Sequence, residues 1–226
     1  MADILQPFSD PDAVARYAEG PRRFVPGVAD LHRMTGILLA ERAPANARVL
    51  VVGAGGGLEL KALAETHSQW TFVGVDPAQE MLNLAQRTLG PSLLSRVSLH
   101  HGYIDTAPQG PFDAAVCLLT LHFLQADERR RTAMEIRRRL ESGAPFVAAH
   151  ASFPQEARET WLSRYAAYAV ASGIDPAQAE GARASVATLL PVLSPEQDEA
   201  LLREAGFGDV AMFYAAFTWR GWVAYA

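Results

Sequence analysis

The most specific chemistry in this sequence lies in a glycine-rich bend and a single acid that follows it. Residues 49–60 read VLVVGAGGGLEL, an apolar β-branched run that stops at Gly53, bends through Ala54, Gly55 and Gly57, and opens a helical pattern. Glycine permits positive φ and removes the Cβ that would hold a ligand away from the backbone. The next apolar run ends in Gly74, Val75 and Asp76, with Asp76 nineteen residues after Gly57. A carboxylate at such a strand end accepts hydrogen bonds from both hydroxyls of a ribose. Strand, bend, helix and acid in this order predict a nucleoside-binding βαβ unit. The competing reading is a glycine turn that serves only strand–helix packing.

The elements that must position these residues alternate along the chain. Apolar runs at 48–52, 71–75, 96–100, 112–118 and 145–149 read as strands, and helical spacing appears at 58–65, 78–89 and 127–140. Only a loop joins the third and fourth strands. Ser194 caps a further helix reaching Ala205, with Pro195 at its first position and Gly206 past its end. Two strands, 210–214 and 218–225, then lie close enough to pair antiparallel. The prediction is a doubly wound α/β fold around a mostly parallel seven-stranded sheet with an antiparallel C-terminal strand.

In this reading one domain has four parts: a helical cap (1–46), a ligand-binding core (47–150), a helical insertion (151–193) and a final helix with two strands (194–226). The cap holds helices near 12–18 and 28–42, and the insertion is a helical hairpin with Trp161, Tyr165 and Tyr168. Both would sit above the C-terminal ends of the strands, as a lid or as the surface of a homodimer.

Composition narrows the setting. Half of the 226 residues are hydrophobic, as in an ordinary globular protein. A formal net charge of −5 gives no general attraction to nucleic acid or anionic membrane. The lone Cys117 makes no internal disulfide, Asp3, Asp10 and Asp12 stand where a secretion signal would be basic, and no apolar stretch is long enough to span a bilayer. A cytoplasmic protein is expected.

The spacing of the glycines bears on the ligand. A dinucleotide fingerprint places its third glycine at 58, where this chain has Leu58; here the glycine falls at 57. That form suits a ligand with no pyrophosphate to seat on the helix N-terminus. S-adenosylmethionine is such a ligand, and NAD stays open as an alternative.

The whole chain resembles class I S-adenosylmethionine-dependent methyltransferases, through the bend at 53–57, Asp76 and the closing antiparallel pair. It is further similar to the carboxy-S-adenosyl-L-methionine synthase group, which is linked to tRNA wobble-uridine modification. That likeness runs through residues 23–27 (RFVPG), 120–124 (TLHFL) with the arginine-rich helix after them, 201–207 (LLREAGF) and 213–224. The resemblance implies cofactor contacts from Gly53, Ala54, Gly55, Gly57 and Asp76, from Pro77 and Met81 over the adenine, from Gly102, Tyr103 and Ile104 after the third strand, and from Leu118, Leu119 and Thr120 after the fourth. The chain departs from the family pattern at Val51, where class I enzymes carry an acid, and from the synthase group at Val28, Leu118 and Leu201. The last stands where that group has an arginine for its ligand's extra carboxylate. The implied activity is therefore methyl transfer to a small molecule, with the synthase reaction or non-catalytic cofactor binding as alternatives.

Methyl transfer is an in-line displacement that positioning and a dry pocket accelerate, and a base is needed only when the acceptor must lose a proton. His122 follows the fourth strand and is the candidate base; a ring packed under the lid or capping the next helix is the competing reading. Tyr17, Arg22, Arg23 and His32 are weaker candidates for substrate contact, and His150 is a strand-end histidine near the same region. The pair His100 and His101 has no acid or cysteine at ligand spacing, so no metal site is expected. Arg129 to Arg131 and Arg137 to Arg139 share a helix with an apolar stripe at Ala126, Ala133, Ile136 and Leu140, so most should face water rather than nucleic acid.

Overall fold

In the computed structural model, which describes residues 20–226, the seven strands form one sheet in the order β3-β2-β1-β4-β5-β7-β6. The strands are β1 (Arg48–Val52), β2 (Thr71–Asp76), β3 (Val97–His101), β4 (Ala114–Leu118), β5 (Pro145–Ala151), β6 (Gly208–Ala216) and β7 (Trp219–Tyr225). The first five run parallel to one another, and β7 is antiparallel to both β5 and β6. The helices are α1 (Gly20–Phe24), α2 (Val28–Ala40), α3 (Leu58–Thr66), α4 (Gln79–Leu94), α5 (Ala126–Arg138), α6 (Arg158–Ala171), α7 (Pro176–Leu189) and α8 (Pro195–Glu204). The predicted helix at 12–18 and the candidate Tyr17 lie outside the described residues.

Strand periodicity divides the core between the two faces of the sheet. Val49, Val51, Val116 and Leu118 join Leu31 and Leu39 of α2 and Leu60 and Leu63 of α3 in one cluster. Leu50, Val52, Ala115 and Cys117 join Ala133 and Ile136 of α5 and Leu201 and Leu202 of α8 in the other. A residue shift of one in β1 or β4 would exchange these sets.

Local signals set the helix bounds. At α8, Ser194 accepts from the Gln197 N–H while the Gln197 side chain accepts from the Ser194 N–H, and Pro195 follows the cap. Gln125 and Glu128 do the same for α5. Asp175 accepts from the N–H groups of Ala177 and Gln178 to start α7. The helix predicted to stop at 89 breaks there: Gly90 (φ 67°, ψ 171°) is non-helical, and Pro91 opens a second short helical stretch.

The cap and the insertion meet at the C-terminal end of β5. Ala151 is in register with Trp219, whose indole Nε1 donates to Phe24 O at 2.9 Å. Tyr165 of α6 stacks on Phe24 with centroids 5.3 Å apart, and the Tyr214 hydroxyl donates to Pro26 O. No helix among the described residues is long and apolar enough to cross a membrane.

Candidate functional site

The register of β1 against β2 pairs Val52 with Val75, so the glycine bend and Asp76 leave the sheet side by side. Gly53 and Ala54 donate to Val75 O at 2.8 and 3.0 Å, which turns the bend back over β2. The Gly55 N–H then donates to Asp76 Oδ2 at 2.8 Å, and the Ala78 N–H donates to Oδ1 at 2.9 Å. Each carboxylate oxygen keeps lone pairs for a ligand. Burial raises the Asp76 carboxyl above its ordinary range, against the pull of the Ala78 and Gly55 N–H groups and of His101.

The bend needs glycine for two different reasons. At Gly53 (φ 74°) an added Cβ would lie 2.1 Å from Thr120 Oγ1 and 2.7 Å from Thr120 Cβ, so rotating the threonine does not clear it. At Gly57 (φ 79°), the N-cap of α3, a Cβ would lie 3.0 Å from Ala85 Cα, so this glycine sets the approach of α3 to α4. Gly53→Ala is expected to destabilise the fold by about 2–4 kcal/mol, from left-handed strain plus overpacking. A thermal melt within a degree of wild type would contradict this.

Beyond the bend opens a predominantly apolar cleft of about 570 Å³, within the range of small-molecule sites. Of the residues singled out from sequence, Gly53, Gly55, Asp76, Pro77, Met81, Gly102, Tyr103, Ile104, Leu119 and Thr120 line it together. Ala54, Gly57 and Leu118 do not. Ala54 is fully buried and would touch any Cβ placed on Gly74, whereas Leu118 points into the core on the α3 face. Leu119 has φ 55°, rare for a branched side chain, and this turn takes the chain from the core into the cleft. Its N–H donates to Ala149 O at 2.6 Å.

The sequence reading missed the far wall. Asp105, Phe123 and Leu124 line it, with Arg131, Met134 and Glu135 from the exposed side of α5. Only Asp105 carried a signal, as an acid directly after the stretch Gly102, Tyr103 and Ile104 that the resemblance implies for the cofactor.

His122 lies behind the cleft rather than on its lining. It is 3% exposed in a short 3-10 turn, packed against Phe123 and edge-on to Trp219 at 5.6 Å. The Ala151 N–H donates to its Nδ1 at 3.4 Å, which leaves the proton of the neutral ring on Nε2. Burial, then the nearby positive groups, pushes its pKa well below the ordinary histidine range. This geometry favours the packed-ring reading.

His150 is also outside the cleft, in a buried ionic cluster. Arg129 of α5 is ion-paired with Asp198 of α8, and His150 Nε2 of β5 lies 3.2 Å from the same Asp198 oxygen, with all three at 1% exposure. Arg129 Nη2 also donates to Leu124 O at 3.3 Å and Pro191 O at 3.1 Å. Most of the α5 arginines face water as expected, with Arg130, Arg131 and Arg138 exposed, but Arg129 and Arg139 do not. Arg129 sits one turn before Ala133 on the buried stripe, while Ala126 is exposed; Arg139 is buried too, paired with Glu135. His100 and His101 are held by Thr106 Oγ1 at 3.1 Å and Pro77 O at 3.0 Å. His32 is partly buried on α2, and burial followed by Arg22 lowers its pKa to about 4. Arg22 and Arg23 lie on α1, where Arg23 Nη1 donates to Gly173 O at 3.4 Å.

Sheet order, antiparallel β7 and the glycine–acid pair define the class: a class I S-adenosylmethionine-dependent methyltransferase fold. Residues 49–143 match the family described as methyltransferase domain. Magnesium-protoporphyrin O-methyltransferase of Rhodobacter capsulatus is 30% identical over 102 residues, which is 45% of either chain and so under half of that relative's length. Carboxy-S-adenosyl-L-methionine synthase of Campylobacter lari is 22% identical over 205 residues, covering 90% of this chain and 87% of its own. A solved structure described as a putative O-methyltransferase from Nostoc punctiforme superposes with a TM-score of 0.68 at 18% identity, over 99% of this chain and 69% of its own.

Proposed function

We propose that the protein transfers the methyl group of S-adenosylmethionine to a small acceptor. The observation that carries this reading is the Gly55–Asp76 contact of 2.8 Å at the floor of an apolar cleft. The cofactor supplies a methyl group on a sulfonium. Asp76 would take the ribose hydroxyls, Pro77 and Met81 would cover the base against Ile104, and Gly53 and Thr120 would line the reacting end. The lining exposes little polar surface, which keeps water from the displacement and favours merging of opposite charges. The described part of the cap (20–46) and the insertion at 151–193 would close the acceptor side, since they meet beside Trp219 at the end of β5. With His122 off the lining, positioning rather than a histidine base accounts for the rate. The lone cysteine and unremarkable charge support a cytoplasmic setting.

The test is calorimetric titration of the purified protein with S-adenosylhomocysteine, expected to bind in the micromolar range, followed by transfer of labelled methyl to a panel of small hydroxyl, amine and carbon acceptors. Failure to bind the nucleoside ligand would sink the reading. Tight binding without transfer to any acceptor would favour a non-catalytic binder. The carboxy-S-adenosylmethionine synthase reading lacks its cation: Leu201 packs in the core, and Arg203 is exposed and paired with Glu199 at 3.0 Å.

A further inference from the structure

The insertion at 151–193 leaves the sheet at the end of β5 and returns to α8 through a narrow neck. At that neck Leu193 O accepts from the Phe153 N–H and from Ser152 Oγ, both at 3.2 Å. The Ser152 N–H donates to Thr218 O at 2.8 Å. Phe153 is fully buried and Val192 nearly so. Beyond the neck the hairpin is held less firmly. Its outer helix α7 has Ala179 as its one buried residue, and Arg158 of α6 donates to Ala187 O, a contact internal to the hairpin. Helix α1, which meets α6 through Phe24, has no buried residue itself. A segment with so few buried anchors is seated largely by its neck.

One side chain joins this neck to the cleft. Arg129 of α5 uses both hydrogens of Nη2, one toward Leu124 O at 3.3 Å and one toward Pro191 O at 3.1 Å. Leu124 lines the cleft, and Pro191 is the second residue after α7. The other nitrogen, Nη1, is held by Asp198 of α8, which His150 of β5 approaches from the sheet. With the guanidinium fixed from three elements, its two carbonyls cannot separate without breaking a charge-assisted hydrogen bond away from water. A lysine here would keep the charge beside Asp198 but lacks the flat fork that reaches two further carbonyls. The turn before Leu124 is tied by the Phe123 N–H to Thr120 O and the Leu124 N–H to Leu121 O, both at 3.0 Å. A ligand packed on Leu124 orders this turn, and its carbonyl then orders the guanidinium and Pro191.

We propose that Arg129 is a positioning residue that couples the cleft wall at Leu124 to the neck of the insertion, so that a filled cleft seats the hairpin over the acceptor side. The element with two states is the hairpin, seated or loosened. The inference rests on the cofactor reading above. It is tested by amide hydrogen exchange of wild type and Arg129→Lys, each free and saturated with S-adenosylhomocysteine. The peptides compared cover 53–57 and 76–78 in the cleft, and 152–157 and 190–193 at the neck. In wild type the ligand is expected to slow both sets, the neck by about tenfold, an ordinary size for coupling between two sites. In Arg129→Lys the cleft slowing stays and the neck slowing falls below about twofold. Should the lysine variant fail to fold, Arg129→Met with Asp198→Leu is read in the same way, since it removes both charges together. A neck that does not slow in wild type overturns the proposal. So does a variant whose neck exchanges faster in both states yet slows by the wild-type factor, the mark of a purely structural arginine. Loss of slowing at cleft and neck alike, at saturating ligand, places Arg129 in general stability and overturns it too. Wild type that binds no S-adenosylhomocysteine removes the cofactor reading itself, a result distinct from these.

Discussion

Asp198→Asn lowers the stability of the fold by about 3–5 kcal/mol, because it leaves the Arg129 guanidinium charged and unpaired in a site from which water is excluded. Arg129 and Asp198 are both 1% exposed, and no alternative acid among the described residues is within ion-pair distance of Arg129. For a chain of this size the loss corresponds to about 10 °C in the melting midpoint. The sign of its pH dependence follows from Asp198. Burial alone would raise its carboxyl, but His150 and Arg129 hold it below the ordinary carboxylate range. A depressed acid contributes stability at neutral pH and loses it as the pH falls through its folded value. The gap between wild type and Asp198→Asn should therefore be widest near neutrality and narrow in acid. Chemical denaturation at several pH values checks both statements; a variant as stable as wild type at pH 7 would contradict the first. The double change Arg129→Met with Asp198→Leu should recover most of the loss, since apolar replacement removes both charges together.

The second large effect concerns binding. Asp76→Ala is expected to weaken S-adenosylhomocysteine by about 2–4 kcal/mol through loss of two charge-assisted ribose hydrogen bonds. It also releases the N–H groups of Gly55 and Ala78, which now donate to its oxygens. Asp76→Asn separates the two contributions, because the amide oxygen still accepts one N–H while the charge is gone. Calorimetry showing unchanged affinity in Asp76→Ala would remove Asp76 from the ribose assignment, whatever the state of the rest of the site.

Much of this architecture was legible in the residues, for physical reasons that can be named. β1 was read at its observed bounds because Arg48 opens and Gly53 closes an uninterrupted apolar run, and α8 because its cap, its proline and Gly206 are local signals. Helix facing was less legible. Arg129 falls on the buried stripe of α5, but charge suggested solvent, and only the arrival of Asp198 from 69 residues away makes its burial affordable. The α5 wall of the cleft was invisible for a related reason: which flank of a helix borders a cavity depends on sheet order, not on periodicity. Leu118 and Leu119 show the limit at single-residue scale. Alternation sends Leu118 to the core, and the left-handed turn at Leu119, which no sequence rule demands, sends the next side chain to the ligand side.

The interior position of β7 has a consequence for how the chain folds. β6 bonds to nothing in the sheet except β7, and β7 alone joins it to β5. A segment synthesised earlier must therefore wait for the one made after it, whether β7 docks on β5 first or the two arrive as a hairpin. Until that moment the backbone donors of β5 are open along one side, the state in which this chain is most exposed to pairing with the wrong neighbour.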